Sequence, residues 1–300
     1  MYLRLAARTD FRRAVEDMLE RTGLPDESVR SILYKGGRMK EEVVNEFAKC
    51  FVPKVVDPVH NYELYEFLGD TFVNSATISY LGRTLFRRLT DSKSPDAVGY
   101  LDKLKSSCVS TPFLANISVQ IGFAPFLMWI FSESGAPFDS TKEKNYQEDI
   151  VEAFFGCLVM HIDNLEMGRG YYFASNMMTD LLDNIHIDYN PWSVWTPPIL
   201  LKQTNDAISK RNREGGRLNL FEIEKRGGGF AAIEMTGEPE KFSRKFVKVR
   251  HGPLQGPEKQ VKTDLARAML EDLQRDPKYK DLVDAPPSAE SLGIADLIRR

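Results

Sequence analysis

Residues 61–70 read NYELYEFLGD and set Glu63, Glu66 and Asp70 at offsets of three and four, the spacing of neighbours on one side of an α-helix. Leu64, Phe67, Leu68, Phe72 and Val73 are interleaved with them, so the stretch predicts a helix with one buried side and an acidic stripe along its edge. Such a stripe repels itself. Like charges at this spacing cost a few tenths of a kcal/mol, ~0.2–0.5, on a wet helix, and more when water is withdrawn, unless a proton or a cation neutralises them.

A second acidic pair lies downstream. In residues 145–162, NYQEDIVEAFFGCLVMHI, Asp149 and Glu152 are three apart and the following turns are apolar through Phe154, Phe155, Leu158 and Val159. Two buried helices facing each other would bring Glu66 and Asp70 against Asp149 and Glu152. Four carboxylates carry the charge that two divalent cations cancel, and hard oxygen donors suit Mg²⁺.

Residues 62–74, YELYEFLGDTFVN, and 148–158, EDIVEAFFGCL, resemble the two signature motifs of the ribonuclease III family, endonucleases of double-stranded RNA. The stretch from Leu101 to Phe123 is similar to the family's helix pair between those motifs, and NYELYEFLGD is similar to versions found in large DNA viruses. The resemblance implies an all-α endonuclease domain in which Glu66, Asp70, Asp149 and Glu152 occupy the four catalytic, metal-binding positions. Glu63, Asn74 and Asp102 become candidates for a supporting role around them. It further implies Mg²⁺, with Mn²⁺ as a substitute, a homodimer in which each centre cuts one strand of double-stranded RNA, and 5′-phosphate and 3′-hydroxyl ends. His60, just before the stripe, reads as a helix-start residue.

With 42% apolar residues, 300 residues are ample for a packed core. The first residues, MYLRLAARTDFRRAVEDM, hold no apolar run of secretory length, and the nearly uncharged run 123–131 is too short to span a bilayer. The expected setting is cytoplasmic or nuclear, not secreted, with no membrane partner. Cys50, Cys108 and Cys157 are odd in number and sit in apolar surroundings, which predicts buried reduced thiols.

The formal charge of −3 is unusual for a protein that handles a polyanion, and its distribution is uneven. Residues 1–196 hold 20 Lys+Arg against 27 Asp+Glu, whereas residues 197–275 hold 16 against 11. The two parts also differ in pattern. Up to residue 190 every regular element reads as helix, including accessory helices such as 10–22 with a stop at Gly23-Leu24-Pro25. The prolines and tryptophans of 188–198, DYNPWSVWTPP, then mark a boundary and a linker over 191–198.

Beyond it, residues 199–275 read as helix, three strands and helix (αβββα), an α+β arrangement similar to a double-stranded-RNA-binding domain. That family's Gly-Pro-x-His loop is not evident, and Arg226-Gly227-Gly228-Gly229 stands in its region. Lys202, Lys259 and Lys262 are the candidate RNA contacts. Residues 276–300 read as a loosely held tail. The competing functional reading is a duplex-RNA binder that does not cut; four intact carboxylates speak against it.

Overall fold

A computed structural model describes residues 1–21, 30–31, 33–163, 167–212, 218–237, 247–283 and 286–298. The chain divides into two compact units, Met1–Asp188 and Tyr189–Arg300.

In the first unit, helices α1 (Tyr2–Ala6) and α2 (Thr9–Arg21) precede a hairpin, β1 (Tyr34–Lys35) and β2 (Arg38–Met39). There follow α3 (Glu41–Lys49), α4 (Glu63–Ser92), α5 (Ala97–Cys108), α6 (Thr111–Gln120), α7 (Ala124–Ser134), α8 (Glu143–Asp163) and α9 (Arg169–Asp183). The hairpin corrects the reading of this part as helix throughout. Its cause is local: Gly36 and Gly37 both have positive φ, 59° and 76°, as a tight two-residue hairpin turn requires. The stop at Gly23-Leu24-Pro25 lies outside the described residues.

Helix α8 is the centre of the unit. Every residue from Ile150 to Val159 is buried, so neighbours surround it on all sides. Phe154 ties it to the rest of the core: its ring lies 4.8 Å from that of Phe47 and 5.0 Å from that of Phe123, and Phe123 meets Phe51 at 4.9 Å. Phe11 of α2 closes the chain against Phe51 at 5.1 Å, edge to face. Helices α6 and α7 meet at 91° where Gly122 takes a positive φ of 79° and Pro125 opens the next helix. Among the described residues no single helix is long and apolar enough to cross a membrane. All three cysteines are buried and free.

Two glycines decide how α4 and α8 cross. A Cβ built on Gly69 would run into the carbonyl of Glu152, and one built on Gly156 into the carbonyl of Tyr65. The helices therefore touch backbone to backbone, closer than any side chain other than hydrogen would permit. That contact carries both acidic segments to one place.

The second unit contains α10 (Pro191–Val194), α11 (Pro197–Asn212), β3 (Leu218–Arg226), β4 (Gly229–Gly237), β5 (Val247–Leu254), α12 (Glu258–Arg275) and α13 (Ala295–Ile298). The strands form one antiparallel sheet in the order β3-β4-β5. Gly227 and Gly228, with φ of 56° and 81°, make the β3–β4 connection a tight turn. Asn205 of α11 donates to the Phe221 carbonyl at 2.7 Å and accepts from its amide at 3.0 Å, which satisfies the backbone of Phe221 on the open edge of β3. Ala231 to Met235 are buried without interruption, so both faces of β4 are covered.

The terminus is not loose where it leaves α12. Tyr279 is buried with its ring edge-on to Phe221 at 5.5 Å, and Arg211 bonds both oxygens of Asp281 at 3.1 Å. Leu292 and Ile294 are also fully buried. The sequence marks only the short amphipathic stretch LGIADLIRR at 292–300 there, with Tyr279 isolated ahead of it.

Candidate active site

Glu66 lies in the first turn of α4, Asp70 one turn on, and Asp149 and Glu152 on α8. The crossing brings one carboxylate oxygen each of Glu66, Asp149 and Glu152 within 4.8 Å of one another. Glu152 is 7% exposed, held among apolar neighbours on the helix that anchors the core. Asp70 is exposed and outside this group of three, at its margin.

The electrostatics follow from burial and repulsion. Burial first, then the charge of Asp70, raises Glu152 to about 9. Burial and then the neighbouring charge of Asp149 raise Glu66 to about 7. Asp149 is raised to about 6, mainly by burial, with a hydrogen bond from Tyr62 pulling the other way. Among the described residues no Lys or Arg forms an ion pair with any of the three. One buried and two half-buried acids without a cationic partner are costly unless protons or a bound cation neutralise them. Their donors are hard oxygens within the span of one coordination sphere, so the residues present fit Mg²⁺ or Mn²⁺.

The supporting residues divide. Asn74 donates to Asp70 Oδ1 at 2.7 Å and accepts from Lys105 Nζ at 2.7 Å, a relay that orients the Asp70 carboxylate. Glu63 points to solvent and pairs with Lys54 at 3.2 Å. Asp102 is exposed and lines a shallow cavity of about 300 Å³ with Asn74 and Lys105. His60 sits beside Asp57 at 3.5 Å and is not part of the acidic group.

Three site residues were missed in the sequence. Tyr62, buried at 3% exposure, donates its hydroxyl to Asp149 Oδ2 at 2.6 Å. It lies four residues before Glu66, hence on the same side of the helix, and that spacing was the available signal. Lys105 is three residues after Asp102 and reaches the site where Asp102 does not. Glu148 adds its charge to those acting on Glu66, Asp149 and Glu152.

The comparisons with known proteins converge on this crossing. The profile described as "Ribonuclease III domain" matches residues 63–163, a span that starts at Glu63 and ends with the last residue of α8. The chain carries a ribonuclease III domain. Two viral proteins, named by inference as ribonuclease 3, are similar over a longer stretch. The one from Invertebrate iridescent virus 6 is 27% identical over 191 residues, 59% of this chain and 60% of that protein. The one from Frog virus 3 (isolate Goorha) is 29% identical over 171 residues, 56% of this chain and 43% of its own length. Ribonuclease 3 of Lactococcus lactis subsp. cremoris (strain MG1363) is 34% identical over 107 residues, 36% of this chain and 40% of that protein. The chain thus spans about half the length of the relatives it matches. The ribonuclease III match covers the helical crossing and does not extend into the second unit.

The second unit places its candidate lysines unequally. Lys202 and Lys259 are exposed on α11 and α12. Lys262 is held by Glu258 at 2.5 Å and lies over the Phe230 ring at 5.1 Å.

Proposed function

We propose that this protein is an endoribonuclease that hydrolyses double-stranded RNA with Mg²⁺, or Mn²⁺ in its place, bound at the crossing of α4 and α8. The observation that carries the reading is the trio of carboxylate oxygens from Glu66, Asp149 and Glu152 within 4.8 Å, without a Lys or Arg partner among the described residues. Bound divalent ions would supply a water activated near neutral pH and neutralise charge on the leaving 3′ oxygen, leaving 5′-phosphate and 3′-hydroxyl ends.

The chain's own residues hold and orient. Glu66 and Glu152, from different helices, clamp the site from two sides. Tyr62 fixes the Asp149 carboxylate, and Lys105 through Asn74 fixes that of Asp70. The buried floor formed by α8 keeps bulk water from that side.

A homodimer is supported by the exposed side of α4, where Leu64 is 68% and Phe67 74% exposed beside the site. Two such centres related by a two-fold axis would each cut one strand. The second unit, with its αβββα order, is proposed as a divergent duplex-RNA-binding domain that recognises shape through phosphates and 2′-hydroxyls. Buried free thiols suit a cytoplasmic or nuclear setting.

The test is incubation of the purified chain with long duplex RNA, with Mg²⁺ and then with excess chelator. Metal-dependent fragments with 5′-phosphates are expected. Cleavage indifferent to the chelator, or none with either metal, overturns the reading.

A further inference from the structure

Helix α4 is acidic in its first half and basic in its second. Arg83, Arg87 and Arg88, with Phe86, Tyr171 and Ser175, line a surface cavity of about 740 Å³ between α4 and α9. The unit around it, residues 1–188, holds 20 Lys+Arg against 27 Asp+Glu, so this concentration of arginine runs against the local charge. A helix terminus does not account for it, because α4 continues to Ser92 and its last turn holds no basic residue.

Arg83 and Arg87 are presented rather than sequestered. Arg83 and Arg87 are exposed, and Arg83 is steadied at the cavity by a 2.7 Å hydrogen bond to Thr179 Oγ1 of α9. Phe86, 68% exposed, supplies apolar surface beside them, which lowers the local dielectric and strengthens pairing with an anion. Guanidinium groups bind phosphate through paired N–H donors, which a lysine cannot do.

We propose that this cavity is a second RNA contact, in which Arg83, Arg87 and Arg88 seat backbone phosphates of duplex RNA away from the acidic crossing. The proposal rests on the duplex-nuclease reading above and extends it. Arg88 lies eighteen residues beyond Asp70, five helical turns, so it returns to the same side of α4 roughly 27 Å along the axis. Arg83 and Arg87 turn from there toward α9. A strand crossing the carboxylates meets Arg88 further on and is drawn onto that flank. Because α4 is one continuous helix, the contact would hold the duplex at a set distance from the reacting centre.

The experiment measures binding of the full chain to long duplex RNA over a salt series, with chelator present so that binding is read without cutting. Arg87→Gln is expected to flatten the slope of log affinity against log salt by about 1, and Arg83→Gln with Arg87→Gln by about 2, with affinity about 10-fold weaker at moderate salt. Both positions are exposed, and the Mg²⁺-induced rise in melting temperature should equal that of the unaltered chain. If the variants keep its affinity and slope, the arginine contact is overturned while the nuclease reading stands. If the unaltered chain neither binds nor cuts duplex RNA, both fall together.

Discussion

The helix crossing of the first unit and the lysine-bearing surface of the second are both proposed to meet RNA, yet they are built differently. At the crossing, positions are dictated to within the width of a methyl group, since Gly69 and Gly156 admit nothing larger than hydrogen. On α11 and α12, Lys202 and Lys259 stand in water and would serve about as well one turn away. Chemistry at a bond demands fixed oxygens, whereas attraction to a polyanion demands only nearby charge. The first leaves a pattern in the sequence; the second leaves little beyond composition.

Six changes probe that difference. The largest effect is expected for Glu152→Gln, which removes a buried donor while preserving shape. Cleavage should fall by about 10³-fold or more, ~4 kcal/mol of transition-state stabilisation, with duplex binding retained. Loss of binding in parallel would show that the crossing serves adhesion rather than cutting.

Gly69→Ala should cost about 3 kcal/mol of stability in chemical denaturation, because the methyl group meets the Glu152 backbone, which cannot swing aside as a side chain can. A neutral result would mean that the helices do not touch there. Tyr62→Phe deletes only the hydroxyl on Asp149, and Mg²⁺ affinity read by calorimetry should weaken roughly 10-fold with little change in melting temperature. The smallest effects belong to the second unit. Lys202→Ala and Lys259→Ala should each flatten the salt slope of duplex binding by about 1, and Lys262→Ala by less, since Glu258 already holds that ammonium.

The crossing also makes stability depend on pH. Asp149, Glu66 and Glu152, at about 6, 7 and 9, all lie above ordinary carboxyl values, so the folded chain holds protons that the unfolded chain has released. Without metal, stability should therefore be greatest below about pH 4 to 5 as far as these groups are concerned, and fall as pH rises through 6, 7 and 9. Mg²⁺ displaces the same protons, so its stabilising effect should grow over that range, measured as the melting-temperature shift at pH 6 and at pH 9. A shift independent of pH would count against these carboxylates as the ligands.

Much of the first unit was legible. The two acidic segments announced themselves through offsets of three and four, and the family match over residues 63–163 falls on them. The β1–β2 hairpin escaped because two-residue strands carry no period, although Gly36-Gly37 was a readable turn. The buried end of the chain escaped for a different reason: Tyr279 stands isolated well before the short amphipathic stretch 292–300, and the burial of Tyr279, Leu292 and Ile294 depends on what they meet.

The amino-acid order alone determined which residues share a helix side, since a repeat of 3.6 acts within a single element and needs no partner. It thereby put Glu66 with Asp70 and Asp149 with Glu152. Only the tertiary structure decided which of them converge: Asp149 is drawn into the group with Glu66 and Glu152, Asp70 stays at the margin, Tyr62 at the head of the first motif reaches across to Asp149, and Lys105 enters from outside either motif. Contacts between elements depend on how closely two backbones approach, and here that distance is set by two glycines 87 residues apart whose meeting no local pattern records.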